Sequence, residues 1–109
     1  MMSACVLDFG VGTRTISNNL WAALVARDGH CRHPGCDRPA NWCEGHHVVH
    51  FSQGGPTKLS NLVLACSRHH HIWHKGWKLA LHDDALLELV SPTGELYQSR
   101  PPPLDFLLE

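Results

Sequence analysis

The chain has 109 residues, 43% of them apolar and 17% charged, which fits one small folded domain and excludes a disordered tail. No apolar run approaches the roughly 20 residues that cross a bilayer, so no membrane partner is expected. The start MMSACVLDFG has neither a basic leader nor a long apolar core, so a cytoplasmic location is expected. In a reducing compartment cysteines are metal ligands before they are disulfides, and a count of five also speaks against complete pairing. The net charge of −1 is unevenly spread. Residues 1–80 carry eight basic against four acidic side chains, a net of +4, and residues 81–109 carry one against six, a net of −5. Bound divalent cations would raise the basic body further, although taken alone this is ordinary surface charge.

In chain order, ACVLDF reads as a short strand and GVGT as a turn. Residues 17–28, SNNLWAALVARD, form an amphipathic helix with Leu20, Trp21, Leu24 and Val25 on one side, capped by Ser17 or Asn18 and ended by Gly29. CRHPGC and CDRPA are turn-rich. NWCEGHHVVHF supplies one or two short strands, SQGGPTKLSN is a loop, NLVLAC is apolar, and SRHHHIWHK is a helix that stops at Gly76. WKLAL and LLELV flank HDDA as a hairpin, which ELYQ extends after the SPTG turn. RPPP is a stiff, extended tail or a linker stub. The chain divides into an N-terminal strand and packing helix (1–30), a central core (31–77), and a C-terminal hairpin with its Pro-rich tail (78–109).

Two short knuckles stand out. Cys31 and Cys36 are spaced C-x4-C, and Cys66 and His69 are spaced C-x2-H. Each knuckle offers two ligands from one tight turn, which suits tetrahedral zinc and would staple the loop near residue 31 to the helix start near residue 66. Cys43 is a spare thiol able to replace His69 or Cys66, and Cys5 reads as a small buried hydrophobe.

The histidines supply a second constellation. His70 and His74 are four apart, so they share one helix face and can grip one ion, with His46 approaching from the preceding strand. Three imidazoles leave positions open for water and substrate, the arrangement of a working metal and not a closed structural one. Neighbours on a strand point in different directions, so His46 and His47 divide the labour: His46 binds metal and His47 acts as general base. Imidazole titrates near neutrality, which suits that task.

The order of paired histidines, Asn61 fourteen residues on, His70 nine further and then His74 resembles the HNH endonucleases. The match runs from about Cys31 to Trp77 and takes in the C-x4-C knuckle, HHVVH, the GGPT loop, NLVLAC and the C-x2-HH knuckle. Taken together it is similar to the HNH domain at the C-terminal end of a large bacterial repeat family. That resemblance implies an α+β fold: a small ββα-metal (HNH, His-Me finger) domain with a structural zinc knuckle, here flanked by an N-terminal helix and a C-terminal β-hairpin. It also implies that His46, His70 and His74 hold a divalent ion (Mg2+, Mn2+, Ni2+ or Zn2+) and that His47 is the general base. Asn61 would brace the loop or orient that base, and Cys31, Cys36, Cys66 and His69 would hold structural Zn2+. Many zinc-containing relatives have cysteine where this chain has His69, and imidazole is an ordinary zinc ligand.

The function implied is metal-dependent hydrolysis of DNA phosphodiesters, with Arg68, Lys75, Lys78 and Lys58 as phosphate contacts. His50 and His71 are read as solvent-facing or phosphate-contacting. A double-strand cut from a single site calls for a homodimer. The competing class is a zinc-stabilised nucleic-acid or protein binding module, non-catalytic or a decayed nuclease, which needs the knuckles but neither His47 nor an open triad.

Overall fold

The computed structural model describes residues 15–103. The expected strand at ACVLDF, the GVGT turn and the burial of Cys5 lie outside the described residues. Helix α1 spans Asn18–Asp28. The Ser17 side chain accepts the Leu20 N–H at 3.1 Å, satisfying one otherwise orphaned helix donor. Gly29, at φ +69°, ends the helix by donating its N–H to the Val25 carbonyl.

Strands β1 (Cys43–His47) and β2 (Leu62–Cys66) pair antiparallel, with Cys43 opposite Cys66 and His47 opposite Leu62. Helix α2 (Ser67–Trp73) leaves directly from the end of β2, with Cys66 as its N-cap. A strand–loop–strand–helix unit thus occupies the centre of the chain, the ββα arrangement expected. The helix is shorter than the sequence pattern suggested: His74 is its C-cap and residues 74–76 form a turn before Trp77.

Strands β3 (Lys78–Leu81), β4 (Leu87–Val90) and β5 (Leu96–Ser99) form an antiparallel meander in that order. The predicted hairpin is therefore the first two strands of a three-stranded sheet, completed by ELYQS as ELYQ foreshadowed.

β2 is buried along its whole length. Side chains alternate across a strand, so β2 divides its apolar residues between two cores. Leu62 and Leu64 meet Leu24 of α1, with Leu20, Trp21 and Ile16 packed around them. Val63 and Ala65 meet Trp73 of α2 and Leu87 and Leu89 of β4.

A buried ionic cluster welds these layers. Asp28 and Arg32 are both fully buried. The Asp28 carboxylate accepts from Arg32 Nη1 at 2.6 Å, Arg27 Nε at 2.7 Å and the Leu64 N–H at 3.0 Å. Arg32 Nη2 donates to the carbonyls of Ala85 and Ser99 at 2.6 and 2.8 Å. Arg27 reaches the Leu59 and Leu62 carbonyls. Helix, knuckle loop, central strand and C-terminal sheet all meet on these three side chains.

Candidate functional site

The two constellations read from the sequence come together at opposite ends of the β1–β2–α2 unit. At the Cys43–Cys66 end, the ligand atoms of Cys31, Cys36, Cys66 and His69 lie within 4.8 Å of one another. His69 Nδ1 is 3.6 Å from Cys31 Sγ and 3.3 Å from Cys66 Sγ. Tetrahedral zinc, with sulfur at about 2.3 Å and nitrogen at about 2.1 Å, would set such edges at roughly 3.6 Å. The four residues fit a zinc ion. Burial pushes the Cys31 thiol up to about 12. The Cys66 thiol lies below its usual value, because hydrogen bonds from the His69 backbone, Cys31 and Cys36 outweigh its burial. Metal binding here must displace protons, so it strengthens as pH rises. Cys43 stays outside the four, its thiol directed to the Pro39 carbonyl at 3.3 Å and pushed by burial up to about 11.

At the other end, His46, His70 and His74 present ring nitrogens within 4.8 Å of one another. β1 supplies His46, and one face of α2 and its cap supplies the other two. His46 is only 3% exposed and its Nδ1 has no hydrogen-bond partner. Burial first, then the neighbouring His70, His74, His50 and His47, pulls its pKa down to about 3, and burial likewise lowers that of His74. The His46 and His74 rings are therefore neutral at pH 7 and have lone pairs to give. A buried imidazole nitrogen without a partner is costly. That orphaned nitrogen, and the convergence of borderline-soft donors, fit a divalent cation.

Glu44 completes this centre, and sequence reasoning missed it. Its Oε1 lies against His70 Nδ1, which fixes that ring and leaves Nε2 as the nitrogen able to face an ion, the orientation that carboxylate partners give to metal-binding histidines. Glu44 and His46 are two apart on one strand, and both line the same cleft. That alternation was the available signal.

The cleft holds about 480 Å³, and His47, His50, Phe51 and Ser52 also line it. His47 is half-buried, its Nε2 2.9 Å from Thr57 Oγ1 and its ring edge-on to Phe51. Asn61, 7% exposed, braces the loop between β1 and β2. Its Oδ1 accepts the Val49 N–H at 2.9 Å, and its Nδ2 donates to the Val49 and Pro56 carbonyls at 3.0 and 2.9 Å. Of the two roles weighed for Asn61, this geometry is that of the brace. His50 turns into the cleft, its ring centroid 4.9 Å from that of His74, whereas His71 is exposed.

Lys58, Arg68, Lys75 and Lys78 are exposed and form no ion pair among the described residues. Arg27 and Arg32, counted in the basic body, are bound to Asp28 and cannot serve a polyanion. Among the described residues no helix is long and apolar enough to cross a membrane.

Residues 30–76 match the family model described as HNH endonuclease. The uncharacterized protein MT1160 of Mycobacterium tuberculosis (strain CDC 1551 / Oshkosh) is 43% identical over 54 residues, 50% of this chain and 13% of that protein. In strain H37Rv, the uncharacterized protein Rv3776 is 35% identical over 83 residues, covering 74% of this chain and 16% of its own length. Rv2100 of the same strain is 38% identical over 77 residues, 69% of this chain and 14% of its own. The chain spans less than a fifth of the length of these relatives. No solved structure matches.

Proposed function

Residues 30–76 belong to the HNH endonuclease family, and from that premise we propose that this chain hydrolyses DNA phosphodiester bonds. His46, His70 and His74 would hold one divalent ion, and His47 would act as general base. The observation that carries the reading is the convergence of three imidazoles on the wall of an open cleft that His47 also lines. When bound, the ion supplies polarisation of a phosphoryl oxygen and stabilisation of charge on the departing 3′ oxygen. His47 takes a proton from the attacking water as its oxygen bonds to phosphorus and the bond from phosphorus to the 3′ oxygen breaks. The products are a 5′-phosphate and a 3′-hydroxyl. Thr57 orients the His47 ring, and Asn61 holds the loop that carries Thr57.

Cys31, Cys36, Cys66 and His69 would hold structural zinc, which ties the knuckle loop to the start of α2 and so sets the helix that bears His70 and His74. Lys58, Arg68, Lys75 and Lys78 would meet backbone phosphates, giving a grip that weakens with salt. One site per chain makes a nick the expected product, and a double-strand cut would take two copies. A binding module that does not cut has no use for His47 beside an open triad, which is why cutting is favoured.

The test is a plasmid-nicking assay with magnesium, manganese or nickel added. We expect the wild type to nick and His47→Ala to lose at least about a hundredfold in rate while retaining its metals. Equal cutting by the two proteins, or none by the wild type with any of these ions, would overturn the mechanism.

A further inference from the structure

His33 lies inside the C-x4-C knuckle and takes part in none of the roles assigned above. Its surroundings are unusually specific. Its ring stacks on that of His69, centroids 4.0 Å apart and planes within 6°. Its Nδ1 accepts the Trp73 Nε1–H at 3.0 Å. Indole nitrogen only donates, so His33 is neutral with its proton on Nε2. Trp73, 2% exposed, stands on α2 between His70 and His74 and packs edge-on against His46 at 5.3 Å. His69, His33, Trp73 and His46 therefore form an unbroken line from one candidate metal centre to the other.

We infer that His33 is a positioning residue: by pinning the Trp73 indole while resting on His69, it holds His46 in register with His70 and His74. The inference rests on reading those three histidines as ligands. Its physical basis is packing and one directional bond. Trp73 forms the wall behind His46, and its rotation about the Cα–Cβ axis is fixed by the only polar atom it carries. Releasing that atom leaves a buried N–H unpaired and lets the ring tilt, which moves His46 relative to the helix-borne pair. Sequence reading passed over His33 because a histidine in a turn-rich knuckle resembles a spare ligand or a surface residue.

The full chain, loaded with zinc at the knuckle, is titrated with Co2+ while the visible absorption of cobalt bound by nitrogen ligands is followed. Cleavage is not measured. His33→Phe keeps a ring against His69 but offers no acceptor, Trp73→Phe removes the donor, and His33→Asn keeps an acceptor near the position of Nδ1. We expect both phenylalanine variants to retain one zinc per chain and to bind Co2+ about tenfold more weakly or worse. His33→Asn should stay near wild type. Unchanged Co2+ affinity in both phenylalanine variants would overturn the proposal. So would a loss in His33→Asn as large as in His33→Phe, or loss of knuckle zinc alongside Co2+, which would make His33 a prop of the knuckle alone. If His33→Phe fails to fold, Trp73→Phe decides. A wild type that binds no Co2+ at the triad sinks the ligand reading itself, an outcome visible before any variant is compared.

Discussion

His46 is held in an unusual setting for a histidine. It is buried, its Nδ1 is unpaired, and four other histidines press on it. An ordinary histidine takes up a proton near pH 6.5, whereas His46 resists until about 3. The sign follows from linkage. Above pH 6.5 neither folded nor unfolded chain protonates this group, and stability is flat. Between 6.5 and about 3 the unfolded chain binds a proton that the native ring refuses, so stability falls with acid. The imidazole carbon shifts of His46 at pH 5 should be those of a neutral ring, and those of a cation there would contradict this account. The histidine pattern was legible in the sequence because so many ligand types at helical and knuckle spacing have few other uses. Glu44 was not, because an isolated acidic residue on a strand looks like a solvated face until tertiary structure brings α2 beside it.

At the scale of elements, the loop between β1 and β2 matters most, since it carries Thr57 to His47. Asn61 holds it by three hydrogen bonds, two of them to Val49. Gly55 permits the close turn: a Cβ there would sit 1.8 Å from the Val49 carbonyl oxygen and 2.9 Å from Asn61 Nδ2. Asn61→Ala leaves part-buried backbone groups of Val49 and Pro56 without this partner and should cost about 1 kcal/mol locally. We expect faster amide hydrogen exchange at Val49, slower nicking and unchanged zinc content, with Gly55→Ala behaving alike. A variant that nicks at the wild-type rate with Val49 still protected would show that the brace is dispensable. The sequence indicated this loop through GGPT and its glycines, and the family resemblance singled out Asn61. The partners of Asn61 could not be read, because a side-chain amide takes whichever backbone the fold brings near.

Across the whole molecule, the Asp28–Arg32 pair joins parts that sequence reading kept separate. Arg32 stands in the knuckle and reaches the carbonyls of Ala85 and Ser99 in the C-terminal sheet. Asp28 ends α1 and holds the Leu64 N–H of β2. Charge counting treated these side chains as surface, since burial of an ion pair leaves no mark in composition. Removing one partner strands a buried charge, so Asp28→Ala should lower unfolding free energy by about 3–5 kcal/mol, read from denaturant midpoints. A loss below about 1 kcal/mol, the range of exposed pairs, would show that the cluster is not the weld described.

Two candidate cation sites of different character in one small chain, a closed one of three sulfurs and a nitrogen and an open one of three nitrogens, underlie every functional statement above. Counting ions per chain by native mass spectrometry tests this most directly. The wild type should carry two in the presence of manganese or nickel, and one, the zinc, when His70 and His74 are both alanine. A wild type that carries a single ion, or a double variant that still carries two, would contradict it.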